Sequence, residues 1–420
     1  MLLGCIADDL TGATDLALML AREGMRTVQV NGLPEACAPA PEADAIVVAL
    51  KSRTVEAAEA VSWSLAALDW LRAAGARRFF FKYCSTFDSS DRGNIGPVAE
   101  ALLESLGAPL AIACPAFPAN GRSVYRGHLF IGDRLLSDSP MRDHPLTPML
   151  DSNLVAVLQR QSRGPVGLVS CETVEAGAEA VADALRAAAD AGRRLMIVDA
   201  ISDGHLRVIG AAVADSLLVT GGSGVALGLP AAWRARGLLQ GPAREAAIEA
   251  PAGPAIVVAG SCSAATRAQV EAARAVMPHL QIDARRLHED PAEIDRACAW
   301  VRDHLGSRPL LVYSSATPDL VELLQRKLGR ERAGSLVESA LARLAETAVG
   351  AGARRIVVAG GETSGAVMAA LGVRQLTIGQ EIDPGVPWTR SVDGPDLALA
   401  LKSGNFGSED FFAKALGMLA

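Results

Sequence analysis

Apolar and polar positions alternate along this chain in blocks rather than residue by residue. Short β-branched runs are separated by longer stretches rich in alanine and leucine. The predicted strands of the N-terminal half are residues 2–7, 27–30, 45–50, 78–83, 109–114, 167–171, 195–200 and 216–220, and predicted helices include residues 13–23 and 55–74. Apolar strands that alternate with helices are typical of βαβ units, so the sequence predicts a parallel sheet.

The block pattern lapses twice. Between residues 115 and 151 it gives way to proline, glycine, arginine and aspartate, which predicts a long binding loop or lid. Residues 238–255 are rich in alanine, proline and glycine, and within them we predict a linker over residues 241–255. Strand candidates then resume at residues 255–260, 310–314, 355–359, 376–378 and 397–402.

The predicted fold class is therefore α/β, with two α/β lobes whose largely parallel sheets flank an active-site cleft. The first lobe comprises residues 1–240 and the second residues 256–420. The composition, 50% hydrophobic but only 4% aromatic, fits this class because small side chains let helices pack closely on a sheet. The order of the strands does not follow from the sequence.

Charge and residue usage exclude several classes of function. The formal net charge of -7, with no basic stretch, argues against a broad nucleic-acid surface. The apolar start is too short for a signal peptide, and no apolar run approaches the ~20 residues of a membrane span. The seven cysteines form no CxxC pair and the six histidines no HExxH motif, so zinc sites and metal hydrolases have no starting point. A cytoplasmic location with reduced thiols is expected.

Three glycine-containing turns follow strands of the second lobe, each ahead of a predicted helix. They are residues 260–263, 360–365 and 403–407. Glycine lets the backbone approach a ligand, and helix N-terminal amides favour phosphate. Three such turns at one sheet edge predict a nucleotide site, although each alone could be an ordinary capped turn. None of them matches G-x-x-x-x-G-K-[ST] or G-x-G-x-x-G.

Glu362 lies inside the second of these turns. A carboxylate in an anion cradle would repel phosphate, so we expect it to hold Mg²⁺, or to accept a hydrogen bond from a ribose hydroxyl or a backbone amide. Glu362 is therefore the residue that we predict as a metal ligand.

Asp8, Asp9 and Thr11 stand at the end of the first predicted strand, and Asp15 follows in what should be the first helical turn. Such acids could accept hydrogen bonds from a polyol, hold a metal ion or remove a hydroxyl proton; the alternative is simple helix capping. Neighbours in a strand point to opposite faces, so only Asp8 or Asp9 should face a ligand, and Asp9 is the preferred catalytic base.

A second polar cluster follows the apolar strand at residues 78–83. Its density of donors and acceptors suits a small, highly oxygenated ligand, although a solvated loop is the alternative. With Arg53, at another strand end, the predicted substrate-binding residues are Arg53, Lys82, Ser85, Asp88 and Asn94. The long loop offers four further candidates, Asn120, Arg122, Tyr125 and Arg126.

Eight separate blocks, in order, resemble the four-carbon acid sugar kinase family over essentially the whole chain. They are IADDLTGATDLA (residues 6–17), FKYCSTFDSSDRGNIGPV (81–98), GRSVYRGHLF (121–130), VTGGSG (219–224), AGSCS (259–263), VAGGETSG (358–365), PGVPW (384–388) and LALKSGNFG (399–407). The version KYCSTFDS resembles the branch that acts on 3-oxo-tetronates, whereas threonate and erythronate branches resemble KKIDSTLRGN more closely.

The resemblance implies that residues 1–240 bind the acid sugar and residues 256–420 bind ATP with Mg²⁺, and that the sugar's 4-hydroxyl is phosphorylated. The implied ATP contacts are Ser261, Gly360, Gly361, Glu362, Thr363, Ser403 and Gly404. The implied substrate contacts are Asp8, Asp9, Arg53, Lys82 and Asp88. The expected partner is a small-molecule acid sugar, with no nucleic acid and no membrane, and a homodimer is an option.

Two rival functions remain open at this point. A phosphatase could use a strand-end aspartate as nucleophile, but the sequence ADDLTG lacks the D-x-D spacing and three glycine turns would be superfluous. A non-catalytic sensor would bind an acid sugar and a nucleotide without turnover.

Overall fold

The computed structural model describes residues 1–144, 147–241, 247–290, 292–314 and 330–419. They divide into two compact units, Met1–Ala246 and Ala247–Ala420. The division falls inside the stretch predicted as a linker, part of which lies outside the described residues; the linker itself stays a prediction.

The strands of the first unit form a parallel sheet and a small antiparallel one. They are β1 (Leu3–Ala7), β2 (Thr27–Asn31), β3 (Ala45–Ala49), β4 (Arg78–Lys82), β5 (Ala111–Cys114), β6 (Arg122–Tyr125), β7 (His128–Ile131), β8 (Arg134–Leu135), β9 (Val166–Val169), β10 (Leu195–Val198) and β11 (Leu218–Gly221). The parallel sheet runs β2-β3-β1-β4-β11-β5-β10-β9. Every residue of β1 is buried, as expected for a parallel strand covered on both faces.

Helices connect these strands, as the alternating pattern predicts. They are α1 (Leu10–Arg22), α2 (Ala57–Ala73), α3 (Ile95–Leu106), α4 (Leu154–Gln161), α5 (Cys171–Glu175), α6 (Ala178–Asp190), α7 (Asp203–Ala212) and α8 (Leu229–Ala235).

The region predicted as one long loop, residues 115–151, contains regular structure. β6 and β7 form a hairpin in which Tyr125 pairs with His128, and β8 adds to it. Arg126 and Gly127 form its turn with φ of 49° and 74°, the positive values that two-residue hairpin turns require. A structureless loop was therefore the wrong expectation, and the Arg-Gly pair between short apolar runs was the signal that indicated a hairpin.

The second unit contains a mixed sheet. Its strands are β12 (Ala255–Ala259), β13 (His279–Gln281), β14 (Leu310–Tyr313), β15 (Arg355–Ala359), β16 (Gln375–Asp383), β17 (Val386–Ser391) and β18 (Ala398–Lys402). The order is β13-β14-β12-β15-β18-β17-β16, parallel from β13 to β18 and antiparallel from β18 to β16. The predicted α/β class with largely parallel sheets is confirmed.

The strand β12 shows why this unit folds as layers. Ile256 and Val258 belong to one apolar cluster and Ala255 and Val257 to another, so alternate side chains are buried on opposite faces of the sheet. The covering helices are α9 (Ala264–Arg274), α10 (Ala284–Glu289), α11 (Glu293–His304), α12 (Arg330–Gly350), α13 (Gly361–Ala370) and α14 (Phe411–Met418). None of the helices in the described part of the chain combines the length and the apolar character needed to cross a membrane.

The antiparallel strands β16 and β17 are the main departure from the sequence prediction. Residues 376–378 were expected as a short strand, but β16 extends to Asp383 and turns through Gly385, at φ 79°, into β17. Polar residues within the run, such as Gln380 and Glu381, conceal the strand from a search for apolar blocks.

Candidate active site

Acidic and basic side chains meet at the carboxyl ends of three neighbouring strands of the first unit. β1 lies between β3 and β4, and both pairs run parallel. Asp8 and Asp9 follow β1, Lys82 ends β4, and Arg53 lies just beyond β3. The strand order, which the sequence does not give, places these four predicted site residues at one edge of the sheet.

Arg53 is the centre of this cluster. Its Nε donates to Asp8 Oδ2 at 2.9 Å, and its Nη2 donates to Asp8 Oδ1 at 2.8 Å. Nη2 also lies 2.8 Å from Oδ1 of Asp9, and Nη1 lies 3.7 Å from Oδ2 of Asp88. Because a guanidinium fits a carboxylate in two parallel hydrogen bonds, this pairing fixes the orientation of Arg53.

Asp9 also begins helix α1. Its Oδ1 accepts a hydrogen bond from the amide of Gly12 at 2.9 Å, and its carbonyl accepts from the amide of Ala13, so the helix starts at Leu10. The predicted start at residue 13 is therefore three residues late. β1 ends at Ala7, so strand alternation does not extend to Asp8 and Asp9, and both carboxylates contact Arg53. Which of the two acids faces a ligand stays a prediction.

Lys82 is buried next to the first turn of α1. Its side chain is 3% exposed, and its Nζ donates to the carbonyl of Tyr83 at 2.7 Å. A Cβ atom added at Gly12 would lie 2.9 Å from Nζ of Lys82 and 2.3 Å from Oδ1 of Asp9. A larger residue at position 12 would collide with both groups, so glycine is required for the ammonium of Lys82 and the carboxylate of Asp9 to approach this turn.

Two further polar residues join the cluster: Asp15, which the sequence already places among the candidate acids, and Ser223, which was not predicted as a site residue. Asp15, which lies in the second turn of α1 rather than the first, accepts a hydrogen bond from the hydroxyl of Ser223. Ser223 follows β11, the neighbour of β4 in the sheet. The block VTGGSG at residues 219–224 was the signal that could have indicated Ser223.

Burial and neighbouring charges shift the pKa values of Asp8, Asp15 and Arg53. It raises the pKa of Asp8 above its ordinary value, with the charge of Arg53 acting in the opposite direction. Burial likewise raises the pKa of Asp15, which Lys82 opposes. Burial disfavours the charge of Arg53, but Asp8 and Asp9 outweigh it and raise the pKa of Arg53. A carboxylate with a raised pKa is a better proton acceptor than an ordinary aspartate.

Asn94 holds the loop that carries Arg53. It is buried, and its Nδ2 donates to the carbonyls of Ser52 at 2.7 Å, Val55 at 3.0 Å and Arg53 at 3.2 Å. These contacts give the amide group of Asn94 a positioning role, and its predicted contact with substrate stays a prediction.

The other predicted residues of the first unit lie in two places. Asp88 accepts a hydrogen bond from the hydroxyl of Thr86 at 2.6 Å and faces Arg53, and Ser85 is half-buried in the same loop. The hairpin candidates Asn120, Arg122, Tyr125 and Arg126 are attached elsewhere, through hydrogen bonds between Val124 and Ala200 beyond β10. β10 is three strands from β4, and within the described part of the chain the hydrogen bonds and ion pairs of Arg53 involve none of these four residues.

The three glycine turns of the second unit follow adjacent parallel strands, β12, β15 and β18. A Cβ atom at Gly260 would lie 2.2 Å from Oγ1 of Thr363, and one at Gly404 would lie 2.3 Å from Oγ of Ser261. The turns therefore touch one another, and only glycine allows the approach. This is the convergence that the sequence predicts for a nucleotide site.

Helix α13 begins at the middle turn. Gly360, at φ 131°, precedes it and has no side chain to cap the first amides. Uncapped amides at a helix start are of the kind that favour anions. The helix starts at Gly361, so Glu362 and Thr363 lie in its first turn and not in an extended loop as predicted. Glu362 is exposed there and Thr363 is buried.

The third turn, at Ser403 and Gly404, is fixed by hydrogen bonds to one backbone carbonyl. The carbonyl of Gly404 accepts hydrogen bonds from Oγ of Ser263 at 2.6 Å, Oγ1 of Thr266 at 2.8 Å and Nζ of Lys402 at 3.1 Å. Ser263 also caps α9. The turn at Ser403 and Gly404 is therefore fixed to the start of helix α9.

Lys402 is the residue that the sequence prediction missed in this unit. It is 1% exposed, and its Nζ donates only to uncharged acceptors in its described contacts, Oγ1 of Thr266 at 3.0 Å and the carbonyls of Ser403 and Gly404. Burial lowers its pKa to about 8. A lysine ending an apolar strand was the available signal, and it recurs in Lys82 of β4.

Two family models match the chain, and each falls on one unit. A sugar-binding N-terminal domain matches residues 3–229, more than half of the chain. A nucleotide-binding C-terminal domain matches residues 256–412. The Arg53 cluster thus lies in the part that resembles sugar-binding domains, and the glycine turns lie in the part that resembles nucleotide-binding domains.

Similar proteins cover the same length. A 3-oxo-tetronate kinase of Burkholderia multivorans is 56% identical, over 100% of this chain and 97% of its own. A 3-oxo-tetronate kinase of Haemophilus influenzae is 43% identical, over 99% of this chain and 100% of its own. A Haemophilus influenzae protein of known crystal structure superposes with a TM-score of 0.89 at 42% identity, covering 99% of this chain and 100% of its own. The chain therefore belongs to the four-carbon acid sugar kinase family, as its sequence blocks predicted.

Proposed function

We propose that this kinase transfers the γ-phosphoryl group of ATP to the 4-hydroxyl of a 3-oxo-tetronate. The observation that carries the proposal is the cluster of acids held by Arg53 in the unit that matches sugar-binding domains. The full-length similarity to proteins named 3-oxo-tetronate kinase supports the choice of substrate.

The charges of the cluster suit an acidic polyol that must lose a proton. Four carboxylates, those of Asp8, Asp9, Asp15 and Asp88, stand near two cations, Arg53 and Lys82. Lys82 and the Nη1 edge of Arg53 hold the substrate carboxylate, while the acids accept hydrogen bonds from its hydroxyls. Binding of the carboxylate determines which end of the sugar is presented for reaction.

Asp9 is the base in this proposal. The 4-hydroxyl oxygen forms a bond to the γ-phosphorus as the bond from that phosphorus to the bridging oxygen breaks, and ADP leaves. The hydroxyl proton passes to a carboxylate late in the step, because phosphoryl transfer asks mainly for positioning and charge neutralisation. Asp9 accepts one amide hydrogen bond and one contact from Arg53, which orient its carboxylate without burying it completely.

ATP binds the three glycine turns, with its phosphates at the first amides of α13 and near Ser261 and Ser403. The buried ammonium of Lys402 adds positive potential beneath the third turn. Glu362, exposed in the first turn of α13, offers a carboxylate oxygen of the kind that Mg²⁺ prefers, and it would hold the ion together with the phosphates. Bound Mg²⁺ would neutralise charge that develops on the phosphates.

A coupled assay for ADP and ³¹P NMR of the product test the proposal. The purified chain is incubated with ATP and Mg²⁺ in three parallel reactions, which contain 3-oxo-tetronate, threonate or erythronate. In the reaction that contains 3-oxo-tetronate, ADP and a phosphomonoester should form in equal amounts. Turnover with threonate or erythronate but not with 3-oxo-tetronate would assign this kinase to another branch of the family.

The same assay separates the two rival functions. Phosphate released from a sugar phosphate without nucleotide would favour a phosphatase, and binding of both ligands without ADP would favour a sensor. The cytoplasmic location and the homodimer stay predictions; the mass of the particle in solution tests the second.

A further inference from the structure

Three potential metal ligands come together at the other end of the first unit's sheet. Sγ of Cys171 lies 3.8 Å from Oε1 of Glu175 and 3.9 Å from Nδ1 of His205. The sulfur, the carboxylate oxygen and the imidazole nitrogen all lie within 4.8 Å of one another. The cysteine is buried, the histidine is half-buried and the glutamate is exposed, so an ion could reach them from solvent.

The backbone around these ligands is fixed. Asp199, which is fully buried, accepts hydrogen bonds from the amides of Cys171 at 3.0 Å, Arg126 at 2.7 Å and Gly127 at 2.8 Å. The amide of His205 donates to the hydroxyl of Ser202, which caps α7. Cys171 opens α5 and His205 lies in the first turn of α7, so both ligands stand on anchored helix starts.

The two distances from the sulfur are close to those around a bound zinc ion, and the third, between the Glu175 oxygen and the His205 nitrogen, is at most 4.8 Å. With a Zn–S distance of about 2.3 Å and Zn–N or Zn–O distances of about 2.0 Å, a tetrahedral ion separates sulfur from either other ligand by about 3.5 Å. The distances of 3.8 and 3.9 Å exceed this by only a few tenths of an ångström. Glu175 is exposed and can adjust.

We propose that Cys171, Glu175 and His205 bind a divalent transition-metal ion of borderline softness, namely Zn²⁺. A thiolate with an imidazole favours such ions over Mg²⁺ and Ca²⁺, which prefer oxygen ligands. Binding converts the Cys171 thiol to a thiolate with release of its proton to solvent, and water completes the tetrahedron. The ion joins α5 to α7 and thereby stabilises this end of the unit.

The site is separate from the proposed active site. Cys171 follows β9, the edge strand, and β9 is four positions from β4 and five from β1 in the sheet. With about 4.8 Å between neighbouring strands, these positions correspond to roughly 19 to 24 Å. Loss of the metal ligands should therefore leave the kinase reaction unchanged.

Absorption spectroscopy of the full-length chain with Co²⁺ tests the proposal. One equivalent of Co²⁺ should produce a near-ultraviolet sulfur-to-cobalt charge-transfer band and the intense visible bands of tetrahedral cobalt, and Zn²⁺ should abolish both. Cys171→Ser should remove the charge-transfer band. Glu175→Gln and His205→Asn should each weaken Co²⁺ binding at least tenfold while ADP formation stays within twofold of the unchanged protein.

Matched controls keep the test specific. Cys37→Ser removes an exposed cysteine of the same unit, and Glu172→Gln removes an exposed acid from the same helix; both should keep the bands. If Cys171→Ser does not fold, the Glu175 and His205 variants, on more exposed side chains, decide the matter. Absence of the charge-transfer band in the unchanged protein, or equal weakening by Glu172→Gln and Glu175→Gln, would overturn the proposal.

Discussion

The guanidinium of Arg53 and the carboxylate of Asp8 form two parallel hydrogen bonds of 2.9 and 2.8 Å. The two residues are 45 positions apart in sequence, and the pairing of β1 with β3 brings them together. Burial favours the neutral form of Asp8, and Arg53 is the group that most opposes this effect. Arg53 therefore favours the charged form of Asp8, in addition to the substrate contact proposed for it.

Arg53→Ala should lower kcat/KM for the acid sugar. Loss of a charge-assisted contact costs about 1.5–3 kcal/mol, which is roughly tenfold to a hundredfold in kcat/KM. The KM for ATP should stay within about twofold, since Arg53 belongs to the unit that matches sugar-binding domains. Steady-state kinetics with each substrate varied in turn measure both values.

Arg160→Ala is the matched control for Arg53→Ala. Arg160 also pairs with two aspartates of the first unit, Asp91 and Asp151, but on an exposed surface. Its removal should leave both KM values nearly unchanged. Equal damage to sugar and ATP kinetics by Arg53→Ala would contradict its assignment to the substrate carboxylate.

Asp9→Asn should reduce kcat by about 10²–10⁴ with both ligands still bound, because the variant keeps the shape of the side chain but cannot accept the proton. The helix should remain, since an asparagine oxygen can still cap the amide of Gly12. Rapid-quench measurement of the chemical step and equilibrium binding of the sugar separate catalysis from affinity.

Asp8→Asn is the companion variant. It breaks the paired hydrogen bonds to Arg53, so sugar binding should weaken more than the chemical step. If Asp8→Asn loses kcat while Asp9→Asn keeps it, the roles of the two acids are reversed. If both variants stay active, the pair serves only to cap α1 and to fix Arg53.

Gly361→Val should raise the KM for ATP at least tenfold while the KM for the sugar changes little. No atom lies within 4 Å of a Cβ built at Gly361, so the chain can accommodate the valine, which would project towards the expected phosphates. Gly365→Val controls for the loss of helix propensity, because it lies in the same helix and its Cβ also meets open space. Comparable effects of both variants on ATP would exclude a phosphate site at the start of α13.

Lys402 should give ATP use a dependence on alkaline pH. Burial lowers its pKa to about 8, so the ammonium charge is lost as pH rises through that value, and the KM for ATP should increase. Lys402→Met should raise that KM by about tenfold at pH 7 and remove its rise near pH 8. An unchanged alkaline limb in the variant would assign the pH dependence to another group.

Lys402 should also make the free energy of unfolding depend on pH. A lysine with a lowered pKa binds fewer protons in the folded chain than in the unfolded chain between pH 8 and its ordinary value of 10.5. The free energy of unfolding should therefore rise with pH in that window, and Lys402→Met should flatten the rise. Urea unfolding of the unchanged protein and of the variant at several pH values, followed by circular dichroism, measures it.

The sequence by itself determined the fold class and the family, and it indicated the candidate residues of both proposed sites. Apolar blocks and glycine turns are local signals, because hydrogen bonding within a helix and the turn after a strand depend on a few neighbouring residues. The acids at residues 8 and 9 and the turns at Gly260, Gly360 and Ser403 could therefore be recognised without coordinates. The cap of Asp9 and the Arg126-Gly127 turn are also local signals, and the boundaries predicted without them were wrong.

Only the tertiary structure decided which of these residues meet. The order of strands in a sheet depends on pairing between distant segments, and nothing in one strand's composition specifies its neighbour. The tertiary structure brings Arg53 into contact with Asp8, Ser223 with Asp15, and His205 with Cys171. These pairs are separated by 45, 208 and 34 positions in the sequence. It also buried Lys402 beneath Gly404, because burial is a property of the packed layers and not of the residue alone.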